Sequence, residues 1–93
     1  VAKIILFAKQ NFEGDSTLVL TDSSPGLRGT GVNNDVSSII VIEGAWNLFV
    51  HPDYEGGNWV VSNTGGPNGD GTYASFEDWN GKNNTISSVQ LAP

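Results

Sequence analysis

The chain has no cysteine and no methionine, a single histidine, and only four basic residues among its 93. Without cysteine, neither a disulfide nor a thiolate metal site can support it. That absence leaves the compartment open, because disulfide-free domains occur on either side of a membrane. Extracellular or cell-surface settings are favoured. The four bases, Lys3, Lys9, Arg28 and Lys82, are scattered and outnumbered by ten acids, for a net charge of −6. No basic stripe is available to neutralise a phosphate backbone, so nucleic acid is excluded as a partner and a small cation is a better one. No apolar run approaches the roughly 20 residues that cross a bilayer, so membrane insertion is not expected. No signal peptide is visible, and a start at Val1 leaves a mature product and an excised domain both open.

Helix formers are scarce as well. Gly, Asn, Ser, Asp and Pro together outnumber Leu, Ala, Glu, Lys, Gln and Arg by roughly two to one. Val, Ile, Thr and the aromatics supply the strand-favouring remainder, so a helical bundle is ruled out. The length suits one domain, 1–93, expected to be a monomer. A domain this small buries roughly 60–65 % of its unfolded surface and is marginal alone, so an additional source of stability is expected.

The apolar clusters are short and bounded by turn residues. They predict strands at Lys3–Ala8, Ser16–Leu20, Ser37–Ile42, Ala45–Val50, Asn58–Ser62, Thr72–Phe76 and Ile86–Leu91. Thr21 to Val32 reads as irregular, and Asn63 to Gly71 as a long flexible loop. About eight short strands in a two-sheet sandwich is the all-β expectation.

The second half repeats the first at two places. Phe7-Ala8-Lys9-Gln10-Asn11-Phe12-Glu13-Gly14 aligns with Phe49-Val50-His51-Pro52-Asp53-Tyr54-Glu55-Gly56, 42 residues later. Asn33-Asn34-Asp35-Val36-Ser37-Ser38 aligns with Asn83-Asn84-Thr85-Ile86-Ser87-Ser88, 50 residues later. The later copy therefore carries eight extra residues, placed most economically in Gly65 to Gly71. A duplication of this kind predicts two four-stranded units, about 1–43 and 44–93, packed face to face. In the first motif Gly14 and Gly56 can take positive φ and fold each hairpin over its own strands. Phe7 with Phe12, and Phe49 with Tyr54, can pack beneath that fold. The second motif gathers amides, hydroxyls and carbonyls, the oxygen donors of which Ca²⁺ takes about 6–8. Asn and Ser ahead of a strand also form local turn hydrogen bonds, so one copy of that motif decides little.

Two ordered copies of both motifs resemble the βγ-crystallin domain, and specifically its calcium-binding microbial type, over about Lys3 to Leu91. The resemblance implies two Greek keys in an eight-stranded β-sandwich and two Ca²⁺ ions per domain, without catalysis. It also implies ligand roles: backbone carbonyls from Asn34 and Asn84, hydroxyls from Ser37 and Ser87, and hairpin carbonyls from Glu13 and Glu55. Asp35 and Thr85, at the third position, are further candidate ligands. Asn33 and Asn83 would hold the loops, and Ser38 and Ser88 would be structural. Non-binding members of the family often carry a basic residue where Ser37 and Ser87 stand, so neither site looks disabled. Asp35 carries a charge that Thr85 lacks, which predicts sites of unequal affinity. Ligands drawn from both halves would let the metal clip the two motifs together.

Other signals are weaker. His51 has no nucleophile motif around it and reads as a hairpin surface residue; with no cysteine, zinc chemistry is also a poor expectation. Asn68-Gly69-Asp70-Gly71 fails the EF-hand pattern, with Tyr73 where Gly is needed and Trp79 where Glu is needed. The glycines near 26–31 and 65–71 match no phosphate loop. Glu77-Asp78 reads as a solvated loop rather than a glycosidase pair. Asn83-Asn84-Thr85 is a glycosylation sequon, but a glycan there would obstruct the proposed site. Trp46 and Trp59 fall in predicted strands, which leaves Trp79 as the exposed aromatic. A carbohydrate-binding or other interaction module, with calcium only structural, is therefore the rival reading. An inert structural or protease-inhibitory domain, suggested by some relatives, is a third.

Overall fold

The computed structural model describes residues 2–27, 32, 35–79 and 86–92. Strand β1 (Lys3–Lys9) shows why the short apolar clusters fold as strands: Ile4 and Leu6 are fully buried, while Ile5 between them faces the other side. It lies at the centre of a four-stranded sheet, flanked by β2 (Glu13–Leu20) and β3 (Ser38–Glu43), with β6 (Thr72–Tyr73) beyond β3. The second sheet has the order β5 (Glu55–Ser62), β4 (Ala45–His51), β7 (Ser88–Leu91). All neighbours in both sheets are antiparallel. Ile4, Leu6, Ile39 and Val41 from one sheet and Trp46, Leu48, Val61 and Val89 from the other form the core. Leu27, Val32, Val36 and Ile86 close its ends.

The duplication is built with an exchange. Strand β6 belongs to the second half but pairs with β3 of the first, Ile39 opposite Tyr73. Reciprocally, Ser24 of the first half bridges Val89 of β7, with N–H to carbonyl bonds of 2.7 and 3.0 Å in the two directions. This bridge falls in the stretch Thr21 to Val32 that reads as irregular, and Pro25, which has no N–H, cannot extend it as a ladder. The two expected four-stranded units are thus not self-contained. Each sheet completes itself with a piece of the other half.

The pairing also locates the extra residues. Strands β2 and β5 stay 42 residues apart at both ends, whereas Ser24 and Tyr73 are 49 apart. Seven of the eight extra residues therefore lie between Ser62 and Tyr73, and one follows. That segment is not the flexible loop expected from its composition. Gly65 N–H bonds the Ser62 carbonyl at 3.1 Å, Gly69 N–H the Gly66 carbonyl at 3.1 Å, and Gly71 N–H the Gly65 carbonyl at 2.9 Å. Val41 N–H of β3 then bonds the Gly71 carbonyl at 2.7 Å and fastens the segment to the sheet. The expected strand Thr72–Phe76 stops at Tyr73, and Phe76–Trp79 turns as a short 3₁₀ helix.

Candidate functional site

Each half carries one folded corner, built the same way. In the first, the register of β1 against β2 slips between Phe7 and Lys9; in the second, that of β4 against β5 slips between Phe49 and His51. Such a bulge bends the hairpin. The chain then passes through two successive left-handed residues, Asn11 and Phe12 with φ of 59° and 60°, and Asp53 and Tyr54 with φ of 61° each. Left-handed backbone costs an L residue roughly 1–2 kcal/mol, and an aromatic there is uncommon. Packing offsets the cost: the Phe7 and Phe12 rings lie 5.7 Å apart edge to face, and those of Phe49 and Tyr54 lie 5.8 Å apart. Gly56, at φ 87°, completes the turn where a Cβ would meet the His51 ring 2.6 Å away.

A buried serine holds each corner. Ser38 is fully buried at the start of β3; its Oγ accepts the Phe12 N–H at 3.0 Å and donates to the Lys9 carbonyl. Ser88, equally buried, accepts the Tyr54 N–H at 3.1 Å and donates to the His51 carbonyl at 2.6 Å. The structural role expected for these two serines is what the structure gives them. The preceding residues, Ser37 and Ser87, are also buried, with N–H bonds to the Phe7 and Phe49 carbonyls at 2.9 and 2.8 Å.

Of the expected ligands, Glu13 and Glu55 follow the left-handed pairs in extended backbone, φ −117° and −116°, with exposed side chains. Asp35 is exposed in the turn before β3, its N–H bonded to the Val32 carbonyl at 3.0 Å. Asn34, Asn84 and Thr85 lie outside the described residues, as do Asn33 and Asn83. The fold thus ties the segment that carries Glu13 to the one that carries Ser37, and the segment of Glu55 to that of Ser87, each through the corner of its own half. Contact between halves comes from backbone groups that no local sequence signal marks. Asn11 N–H bonds the Ala74 carbonyl at 2.8 Å, Asp53 N–H the Pro25 carbonyl at 2.7 Å, and Leu27 N–H the Ser87 carbonyl at 3.0 Å. Among the described residues no three His, Asp or Glu side chains converge. The contacts that join these segments are made by backbone groups and serine hydroxyls.

The remaining candidates fall into place or fall away. His51 is exposed on the hairpin. Trp79 is not exposed: only 4 % of its surface is accessible, and its ring packs edge to face on Tyr73 at 6.3 Å. The 3₁₀ turn rolls the indole inward, and its Nε1 is buried without a hydrogen-bond partner among the described residues. Trp46 is wholly buried and Trp59 is half-buried against the core. Glu77 and Asp78 sit on that same turn rather than on an open loop; Glu77 is exposed, and Asp78 is half-buried with its Oδ2 accepting the Ser75 N–H at 3.3 Å. No helix among the described residues is long and apolar enough to cross a membrane.

Comparison with known proteins agrees with this architecture. The Beta/Gamma crystallin family model matches residues 3–92. Human beta/gamma crystallin domain-containing protein 1 is 37% identical over 91 residues, covering 96% of this chain and 4% of that protein. Rat gamma-crystallin N is 34% identical over 88 residues, covering 95% of this chain and 44% of its own length. The chain therefore spans less than half the length of these curated relatives. Among solved structures, a beta gamma crystallin from Ciona intestinalis superposes with a TM-score of 0.85 at 33% identity, covering 97% of this chain and 99% of that one. An archaeal betagamma-crystallin gives 0.84 at 30% identity, with 99% of each chain covered.

Proposed function

The chain belongs to the beta/gamma-crystallin family, and on that premise we propose that it is a calcium-binding member with two metal sites and no catalytic activity. Glu13, Asn34, Asp35, Ser37, Glu55, Asn84, Thr85 and Ser87, drawn from both halves, would hold the two ions. One observation carries the reading: twice over, a buried serine of the Asn-Asn-x-x-Ser-Ser motif is tied to a folded corner, one of them through the N–H of Ser37 and the other through that of Ser87. A site rich in carbonyls and hydroxyls suits Ca²⁺ and keeps affinity modest, since few full charges contribute. The bound metal would act on stability: an ion that binds only the folded state stabilises by about 2.7 kcal/mol at 100 times its Kd. For a small domain without disulfides that is a large share of the total. The carbohydrate-binding alternative loses its basis with the burial of Trp79.

Isothermal titration of metal-stripped protein with Ca²⁺ tests the proposal. Two binding events are expected, with Ser37→Arg and Ser87→Arg each abolishing one. A protein that takes up no calcium at millimolar concentration, or variants that both keep two sites, would reject it.

A further inference from the structure

The serines at the last motif position are not among the expected ligands, yet each lies at the one point where both ligand-bearing segments meet. Ser38 Oγ is bonded to Phe12 N–H and to the Lys9 carbonyl, with Glu13 one residue beyond the first contact and Ser37 one residue before Ser38 itself. Ser88 Oγ stands in the same relation to Tyr54, His51, Glu55 and Ser87. Both serines are fully buried, so no water can replace the bonds if the hydroxyl is removed. The corners they hold are the left-handed ones, which would relax if released.

We propose that Ser38 and Ser88 are positioning residues that set the distance between the carbonyl ligand and the hydroxyl ligand of the two calcium sites, one serine per site. This rests on the calcium reading above. The serines touch no metal; they fix the backbone from which the ligands project, as outer-shell groups do at other metal centres. Thermodynamic reciprocity adds a second consequence. Whatever factor the serine contributes to calcium affinity, calcium contributes equally to the closure of that corner.

Two-site calorimetric titration of wild type, Ser38→Ala, Ser88→Ala and the core variant Ile4→Val separates positioning from mere stabilisation. Ser38→Ala is expected to weaken one site on the order of tenfold or more and leave the other unchanged, Ser88→Ala the reverse, as outer-shell losses do. Ile4→Val, remote from both corners, should lower the melting temperature without moving either affinity. Amide exchange at Phe12 and Tyr54 should slow when calcium is added. Should an alanine variant not fold, Ser38→Cys keeps a weaker donor of similar shape and should lower that site's affinity alone. Wild-type affinities in the Ala or Cys variants would overturn the inference while leaving the calcium reading intact. A wild-type protein that binds no calcium would overturn both.

Discussion

Two kinds of segment in this chain were duplicated together and ended differently. The corners at Gln10–Phe12 and Pro52–Tyr54 share their left-handed pairs, packed aromatic pair, following glycine and serine clasp, with φ values of 59–61° in all four left-handed residues. The connections that follow β2 and β5 differ in length and path: among the described residues one crosses at Ser24, whose Oγ bonds the Gly26 carbonyl at 2.8 Å, and the other carries seven more residues closed by backbone bonds among Ser62, Gly65, Gly66, Gly69 and Gly71. The difference teaches where the fold tolerates change. A corner is fixed by strained backbone, a buried hydroxyl and two rings at once, so altering one part strands the others. A connection has only to deliver one residue to the neighbouring sheet, Ser24 to Val89 or Tyr73 to Ile39.

If that view is right, the connections should respond to glycine substitution in opposite ways, and this is the largest effect expected. Gly71 has φ 82°, and a Cβ there would collide with the Val41 carbonyl oxygen and lie 3.1 Å from backbone atoms of Asn63. Gly71→Ala should cost roughly 3 kcal/mol, since the strained φ and the backbone clash add. A methyl group added at Gly26, in the other connection, would have no neighbour within 4 Å. Gly26→Ala should be neutral or stabilise by about 0.4–1 kcal/mol through the unfolded chain. Urea unfolding of both variants measures the contrast, and equal losses would break it.

On the proposed calcium reading, the corners respond to the metal instead. At 100 times Kd each site contributes about 2.7 kcal/mol, a rise in melting temperature of roughly 10–20 °C per site over the protein in EDTA. Calorimetric scans should show the calcium-dependent rise reduced by one site's share in Ser37→Arg and in Ser87→Arg alike if the corners are functionally equal. They are not expected to be. Asp35 brings a carboxylate where Thr85 brings none, and the segment bonded to the first corner carries Glu77 and Asp78. Asp35→Asn should weaken one site on the order of tenfold, about the energy of one charge-assisted contact, and Thr85→Asp should bring the two closer together. Two sites of equal affinity in the wild type would remove the asymmetry altogether.

How much of this could be read from the sequence follows the same division. The corners were legible because most of their parts are local: an aromatic pair and a glycine recur at fixed spacing, while each serine, 26 or 34 residues further on, is marked only by its own repeated motif. The strands were legible from alternation, although β2 begins at Glu13, earlier than its apolar residues suggest, because pairing with Lys9 extends it. What escaped was long-range. The Pro25 and Ala74 carbonyls that receive the corner N–H groups carry no side-chain signature, and a four-residue 3₁₀ turn has too few residues to reveal that Trp79 faces inward. The segment before β6 misled by composition, since Gly, Asn and Asp describe a flexible loop and a tightly bonded one equally well.

That last segment yields the smallest and most local prediction. Asp70 Oδ1 accepts the Thr72 hydroxyl at 2.5 Å and the Thr72 N–H at 3.1 Å, closing a turn that delivers the chain into β6. These bonds, the hydroxyl first, hold the Asp70 carboxyl below its ordinary pKa of 3.8. A depressed folded pKa means that the ionised group stabilises the protein above the unfolded value, and that the contribution is lost as pH falls through the folded one. Asp70→Asn should therefore lower the urea midpoint slightly at pH 7, with the difference from wild type shrinking from 3.8 downward and vanishing once pH passes the folded pKa. Thr72→Val removes the leading cause, so the Asn substitution should matter less in that background at every pH. A pH-independent difference would mean that the turn is held by shape alone, with no contribution from the Asp70 charge.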